Sequence, residues 1–171
     1  MGSLTSYLQK TFFELCPPGW SCRHEVRLLP SELQHMLGYN PRADVLLERD
    51  DGARRLWIEF EVSRADPVAN HAKFATAHLF KTQLQSDSFV AMVSPHVDRG
   101  RRNLAANAIS VMRHIGMSAF QTVLLPHLST QEVKRLNHLD RFSLQFLLPG
   151  GLTHLFFLLF SCFLFVPELL L

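Results

Sequence analysis

The chain has 171 residues, of which 47% are hydrophobic and 19% are charged, and its formal net charge is +2. This length accommodates one domain with a buried core, and this composition excludes an intrinsically disordered chain. The charge does not indicate nucleic-acid binding by itself, because a phosphate-binding face appears as a local cluster of basic side chains rather than as an excess over the whole chain.

The cysteines and the N-terminal segment both favour a cytoplasmic protein. The three cysteines have no spacing typical of metal ligands, so reduced thiols are the simplest interpretation. Gln9, Lys10 and Glu14 interrupt the apolar run that a signal peptide requires. We therefore expect no export by that route.

The first part of the chain is expected to form a helix, a strand and a short helical turn. Apolar residues recur at helical spacing over residues 4–15, and Pro17-Pro18-Gly19 then ends the helix. Residues 22–29 are rich in β-compatible side chains and are followed by a proline, which indicates a strand. A short turn of helix is expected over residues 31–38, where a glycine closes it.

Two strands at residues 43–48 and 56–63 are expected to pair as an antiparallel hairpin. They are joined by Arg49-Asp50-Asp51-Gly52, whose Asp-Gly step is a strong signal for a turn between two apolar runs. This hairpin supplies the antiparallel part of the predicted sheet.

Helices and strands alternate in the second part of the chain. Strands separated by long helices require crossover connections, so the sequence predicts an α/β fold with a mixed sheet flanked by helices, in the order αβββαβαβ. We expect this domain to occupy residues 1–149. Its remaining predicted elements are a helix at 68–85, a strand at 89–93, a helix at 99–117, a strand at 119–125 and a short helix that Ser129 or Thr130 caps.

Three acidic residues are expected to converge at one end of the hairpin. Side chains alternate along a strand, so Glu59 and Glu61 project from one face together with Ser63, whereas the apolar residues between them project from the other. Asp44 begins the neighbouring strand and can lie across from Glu59. Adjacent carboxylates repel one another, and a Mg²⁺ ion, which prefers oxygen ligands, would remove that repulsion. Such an ion would activate water for phosphodiester hydrolysis.

The segment Pro41-Arg42-Ala43-Asp44, followed by Ile58-Glu59-Phe60-Glu61-Val62, resembles the PD-(D/E)XK nuclease superfamily, which includes many restriction and DNA-repair endonucleases. The resemblance covers roughly residues 4–126 and implies a restriction-endonuclease-like fold. It implies that Asp44 is the aspartate of the motif, Glu59 its second acid and Glu61 the residue at its lysine position. Some restriction endonucleases of the superfamily carry glutamate there, and Lys73 on the following helix can reach back in place of the lysine.

The resemblance implies a Mg²⁺-dependent endonuclease that acts on DNA, with Mn²⁺ as a substitute ion and restriction or defence as the setting. Asp44 and Glu59 are the expected metal ligands, Glu61 assists the metal or the water, and Lys73 stabilises charge. A catalytically inactive nuclease-like domain that binds nucleic acid or a protein partner is the alternative. A third interpretation is structural, with Glu59 and Glu61 facing solvent on an exposed sheet.

Further side chains are candidates for supporting roles. Glu14 on the first helix is a possible auxiliary acid, because some members of the superfamily place a helix glutamate near the metal. Cutting both strands of DNA favours a homodimer. His71 and His78 lack metal-ligand spacing and are expected at or near the surface. Three arginines at the start of the second long helix can bind phosphates or simply be solvated: Arg99, Arg101 and Arg102.

The C-terminal segment 150–171 is unlike the rest of the chain. Residues 152–166 contain no formally charged side chain, and Gly150-Gly151 precedes them. Three interpretations stay open, namely a membrane anchor, a segment buried in the core or in a dimer interface, and a non-native end of the chain.

Overall fold

In a computed structural model, the chain is described at residues 2–62 and 67–148, which contain six helices and five strands. In chain order these are α1 (Ser3–Glu14), β1 (Trp20–Arg27), α2 (Ser31–Leu37), β2 (Arg42–Arg49), β3 (Arg55–Glu61), α3 (Pro67–Phe80), β4 (Asp87–Val93), α4 (Arg99–His114), β5 (Ala119–Val123), α5 (Thr130–Leu136) and α6 (Arg141–Leu147).

The five strands form one mixed sheet in the order β1-β2-β3-β4-β5. Strands β1, β2 and β3 are antiparallel neighbours: the connection that contains α2 leads from β1 into β2, and a turn joins β2 to β3. Strands β3, β4 and β5 are parallel neighbours, because α3 and α4 each carry the chain back before the next strand begins. Strand β3 therefore has an antiparallel neighbour on one side and a parallel neighbour on the other.

Helices cover both faces of the sheet and produce two separate cores. One core joins the sheet to α1, α5 and α6, with Phe12 of α1 packed edge-on against Phe60 of β3 at 5.1 Å between ring centroids. The other core joins the opposite face to α3 and α4, and there the ring centroids of Phe74 and Phe89 lie 4.5 Å apart. The apolar residues Ile58, Phe60 and Val62 all belong to the first core, so the predicted alternation of side chains along β3 is confirmed.

The mixed α/β architecture and the central hairpin agree with the sequence prediction, but two helical regions differ from it. Helix α3 ends at Phe80 rather than near residue 85. After it the chain folds into a loop, because the Gln83 amide donates a hydrogen bond to the His78 ring and the Asp87 amide donates to the Leu84 carbonyl. Helix α6 was not predicted. The capping box of Ser129 and Glu132 at the start of α5 is confirmed.

The expectation that His71 and His78 lie near the surface is wrong, since both are buried. Each histidine has one ring nitrogen hydrogen-bonded to a backbone carbonyl: His71 Nδ1 to that of Pro67, and His78 Nε2 to that of Ile115 at 3.1 Å. The His71 ring also packs edge-on against Phe89. Their burial reflects these local contacts, which spacing along the sequence does not reveal.

Some sequence predictions lie outside the described residues, namely Ser63 and the whole of the apolar segment 150–171 with its three interpretations. Of the helices that are described, none has both the length and the apolar composition needed to cross a membrane.

The second core can be tested by removing the aromatic ring at its centre. Phe89 is fully buried in β4, so Phe89→Ala is expected to lower the free energy of unfolding by about 3–5 kcal/mol. The matched control is Phe146→Ala, whose ring is 71% exposed and whose loss should change stability by only about 0.5 kcal/mol. Urea unfolding followed by circular dichroism measures both, and equal losses would contradict this assignment of the core.

Candidate functional site

The predicted acids lie where β2 and β3 separate. Val45 pairs with Ile58, so Asp44 and Glu59 are the next opposed residues on the two strands. The Phe60 amide donates a hydrogen bond to Asp44 Oδ2 at 2.8 Å, so a carboxylate occupies the place of a strand carbonyl. Glu59 is 6% exposed and Glu61 is 4% exposed, which excludes the interpretation that they face solvent on an open sheet.

A fourth carboxylate, Glu25, is brought to the same place by a distortion of β1. Its φ of 50° lies in the left-handed region, which residues other than glycine seldom adopt. Between β1 and β2, His24 pairs with Val45 and Val26 pairs with Ala43. Glu25 therefore lies opposite Asp44. Val45 packs into the first core, whereas Ala43, two residues away, packs into the second. The regular alternation is therefore interrupted where the two acids meet.

Gln9 connects α1 to this distortion. Its side-chain amide donates to Glu25 Oε1 at 2.9 Å and to the main-chain oxygen of Asp44 at 3.1 Å. Gln9 is buried, so these bonds form with little competition from water. The first helix thus fixes the side chain of one acid and the backbone of another.

Helix α3 reaches the site from the opposite face. The Asn70 amide donates to Glu61 Oε1 at 2.9 Å, which fixes the orientation of that carboxylate. Lys73 lies one turn later, is exposed, and donates to Asn70 Oδ1 at 3.3 Å. Its positive charge lowers the pKa of Glu59. The sequence prediction that Lys73 reaches back toward the acids is consistent with this position.

We refer to Glu25, Asp44, Glu59 and Glu61 as the acid cluster. Burial raises the pKa of Asp44 to about 6; the hydrogen bond from Phe60 opposes this shift, and the nearby carboxylates of Glu25 and Glu61 add to it. Burial also raises the pKa of Glu59 well above its ordinary value, and Asp44, Glu61 and Glu25 raise it further while Lys73 lowers it. The cluster therefore favours bound protons or a bound cation.

The oxygen-rich composition of the acid cluster fits a hard divalent cation such as Mg²⁺. Asp44 and Glu59, opposed on two strands, are the residues that could hold one. Within residues 2–62 and 67–148, no three His, Cys, Asp or Glu side chains are arranged as ligands of a single metal ion. An ion bound by two carboxylates would take its remaining ligands from water and main-chain oxygens, as Mg²⁺ commonly does.

The three predicted arginines lie at the start of α4, where Asp98 caps the helix by accepting from the Gly100 amide at 2.9 Å. Arg99 and Arg101 are exposed and Arg102 is half-buried, and all three line a cavity of about 490 Å³. The cavity begins just after Ser94, whose amide donates to the Glu61 carbonyl at 3.0 Å. The acid cluster and the arginines therefore lie at the same edge of the parallel strands.

Glu14 is not brought to the acid cluster. It forms an exposed ion pair with Lys10 at 2.9 Å, one turn apart on α1. The sequence analysis missed one member of the acid cluster, Glu25, and the two amides that donate to it and to Glu61, Gln9 and Asn70. For Gln9 the sequence does carry a signal: it is a polar residue one turn before Phe12, within the apolar stripe of α1, which indicates a buried polar side chain.

Compared with known proteins, the chain matches no protein-family model, no curated protein and no solved structure. The functional interpretation therefore depends on the site itself.

The raised pKa of Asp44 predicts how stability changes with pH. An acid whose pKa is higher in the folded protein binds more protons when folded, so its contribution to stability is present below the unfolded pKa and is lost as pH rises through the folded pKa. For Asp44 the loss occurs over the pH range from 3.8 to about 6. Relative to Asp44→Asn, the wild type should lose up to about 3 kcal/mol of unfolding free energy across it.

The measurement is urea unfolding of both proteins between pH 3.5 and pH 7. Asparagine keeps an oxygen that can accept from the Phe60 amide, so the comparison isolates the charge. Glu32→Gln, which removes an exposed carboxyl on α2, controls for the change in net charge. Parallel pH curves for wild type and Asp44→Asn would show that Asp44 is not buried among the other acids.

Proposed function

We propose that the chain is a Mg²⁺-dependent endonuclease that hydrolyses phosphodiester bonds in DNA, and that its fold is restriction-endonuclease-like. The order of helix, three antiparallel strands, helix and parallel strand supports the fold assignment, because it is the order that the motif resemblance implies. Restriction or defence is the setting that this resemblance favours.

The observation that carries the proposal is the burial of Glu59 among other carboxylates. A structural acid in the interior is normally paired with a cation or neutralised by its surroundings. Among the charged groups that act on Glu59, three are carboxylates and one, Lys73, is a cation. An arrangement that raises the energy of its own charged form is typical of a functional site, and a divalent cation would stabilise it.

The residues in and around the acid cluster would have different roles in such a reaction. Asp44 and Glu59 would hold Mg²⁺, with Mn²⁺ as a substitute, and the ion when bound would polarise a phosphoryl oxygen and acidify a water molecule. Glu61, fixed by Asn70, would orient that water as the residue at the lysine position of the motif. Lys73 would contribute the positive charge that the motif lysine normally supplies.

The arginines at the start of α4 would contact the DNA. The residues that line their cavity follow β4 at the edge of the sheet where β3 ends at Glu61, so the proposal places the sugar-phosphate backbone along this edge. Arginine binds phosphate through two parallel hydrogen bonds, and the N-terminus of a helix adds a favourable dipole. A homodimer would present two such sites to the two strands of a duplex.

The alternative function is a catalytically inactive domain that binds nucleic acid or a protein partner. It is favoured by Glu61, which is a carboxylate where most nucleases of the superfamily carry lysine and which is bound to Asn70. The two functions share the arginine surface but differ in whether the acid cluster breaks a bond.

Cleavage of supercoiled plasmid with Mg²⁺ or Mn²⁺ tests the proposal. Asp44→Asn and Glu59→Gln should each reduce the cleavage rate by about 100-fold or more, because each removes a charged ligand of the ion. Glu32→Gln removes an exposed carboxyl on α2 that is not part of the acid cluster, and it should keep the wild-type rate.

Cleavage that persists in both site variants would refute the assignment of the acids. Absence of cleavage by the wild type with either ion, together with retained binding of DNA, would favour the inactive domain.

Cation binding can be tested separately from catalysis. A ligand that binds only the folded protein at ten times its dissociation constant stabilises it by about 1.4 kcal/mol, which raises the Tm of a domain of this size by a few degrees. We expect such a rise with millimolar Mg²⁺ at pH 7.5, and its loss in Glu59→Gln. A shift of equal size in Glu59→Gln would indicate that the ion binds elsewhere.

A further inference from the structure

The outward side of α6 carries two strongly exposed phenylalanines. Phe142 is 72% exposed and Phe146 is 71% exposed, which makes them the most exposed of the large apolar side chains in residues 2–62 and 67–148. They lie one turn apart on the helix and their ring centroids are 5.2 Å apart, so they form one apolar patch. We refer to this pair as the α6 face.

Helix α6 is apolar on both sides, unlike the preceding helix α5. Leu144 of α6 and Leu148 at its C-cap are buried in the first core, on the side of the helix opposite the α6 face. Helix α5 buries Val133 and Leu136 in the same core. The other side of α5 is polar and exposed: Gln131, Glu132, Lys134 and Arg135. A helix that is apolar on all sides is normally buried on all sides, so the α6 face requires an apolar partner.

The sequence that follows α6 indicates the nature of that partner. Residues 142–167 contain no Asp, Glu, Lys or Arg. Within that run, residues 152–166 are Leu, Phe or Val at all positions except four: Thr153, His154, Ser161 and Cys162. Only Pro149-Gly150-Gly151 separates this segment from Leu148. The α6 face is therefore continuous along the chain with a longer apolar segment.

A lipid bilayer fits this segment better than a protein surface does. Leu and Phe recur in residues 152–166 with neither the helical nor the strand period, so no side of the segment is polar throughout. The α6 face or a second copy of the chain would cover one side of it, whereas a bilayer surrounds it. Its 15 residues are fewer than the roughly 20 that cross the hydrocarbon core, which favours entry from one side of the membrane.

We propose that the α6 face and segment 152–166 together bind a lipid bilayer from one side. The two phenylalanine rings insert at the boundary between headgroups and acyl chains, where the apolar side of a helix lying on a membrane is buried. One contact thus removes the apolar surface of both the helix and the segment from water. Neither the acid cluster nor the arginines of α4 belong to this surface, so the proposal is independent of the nuclease activity.

Flotation of the full chain with phosphatidylcholine vesicles tests the binding. The chain should float with the vesicles, and about 1 M NaCl should not release it, because the contact is apolar rather than electrostatic. Phe142→Gln and Phe146→Gln should each lower the partition coefficient about tenfold, since each removes an aromatic ring from the bilayer. The matched control is Phe13→Gln on α1, whose ring is 60% exposed and lies beside His24 of β1; it should leave the coefficient unchanged.

Fluorescence quenching locates the contact on the protein. Phe146→Trp adds a reporter to the α6 face, and its emission should fall when the vesicles contain lipids brominated in their acyl chains. Phe13→Trp is the matched control, and its added emission should not fall. Asp44→Asn should float as the wild type does, so failure of the nuclease proposal would not affect these results.

The other possible occupants of the α6 face give different results. If segment 152–166 folds back over it, the emission of Phe146→Trp is blue-shifted without vesicles and does not respond to brominated lipid. If a second copy covers it, sedimentation shows a dimer that persists, unbound, when vesicles are added. Either result, or failure of the wild type to float, would overturn the proposal.

Discussion

Mutual repulsion among buried carboxylates is the constraint on which the architecture of this end of the sheet depends. Glu59 has three acidic neighbours and little access to water, so its charged form is stable only if the surroundings supply a compensating charge. The fold brings the acids together through strand pairing and not through flexible loops, which keeps the repulsion from being relieved by movement. Local stability is lower here than a polar but uncharged arrangement would give.

Amides from two helices on opposite faces of the sheet hold the carboxylates in position. Gln9 reaches Glu25 and the backbone of Asp44 from one layer, and Asn70 reaches Glu61 from the other. A neutral amide can donate a hydrogen bond to an acid without neutralising its charge, so orientation is fixed while the need for a cation persists. The three layers are thus coupled at the site as well as through the two apolar cores.

The sequence determines the architecture more directly than it determines the site. The Asp-Gly turn and the alternation along β3 predict the hairpin and the faces of Glu59 and Glu61, because both signals depend on neighbouring residues. The role of Glu25 depends on the register between β1 and β2 and on a left-handed backbone conformation, and neither has a local signal at a glutamate. The end of α3 was missed because a histidine ring, rather than a proline or glycine, terminates it.

The backbone conformation of Glu25 is one that glycine adopts more easily, yet this position carries a carboxylate of the acid cluster. Glycine adopts a φ of 50° without steric cost, so Glu25→Gly would remove both backbone strain and one source of charge repulsion. The chain therefore retains its glutamate at the expense of conformational ease. Selection of this protein for heat resistance would tend to replace that residue, and the more stable variants would have one carboxylate fewer in the acid cluster.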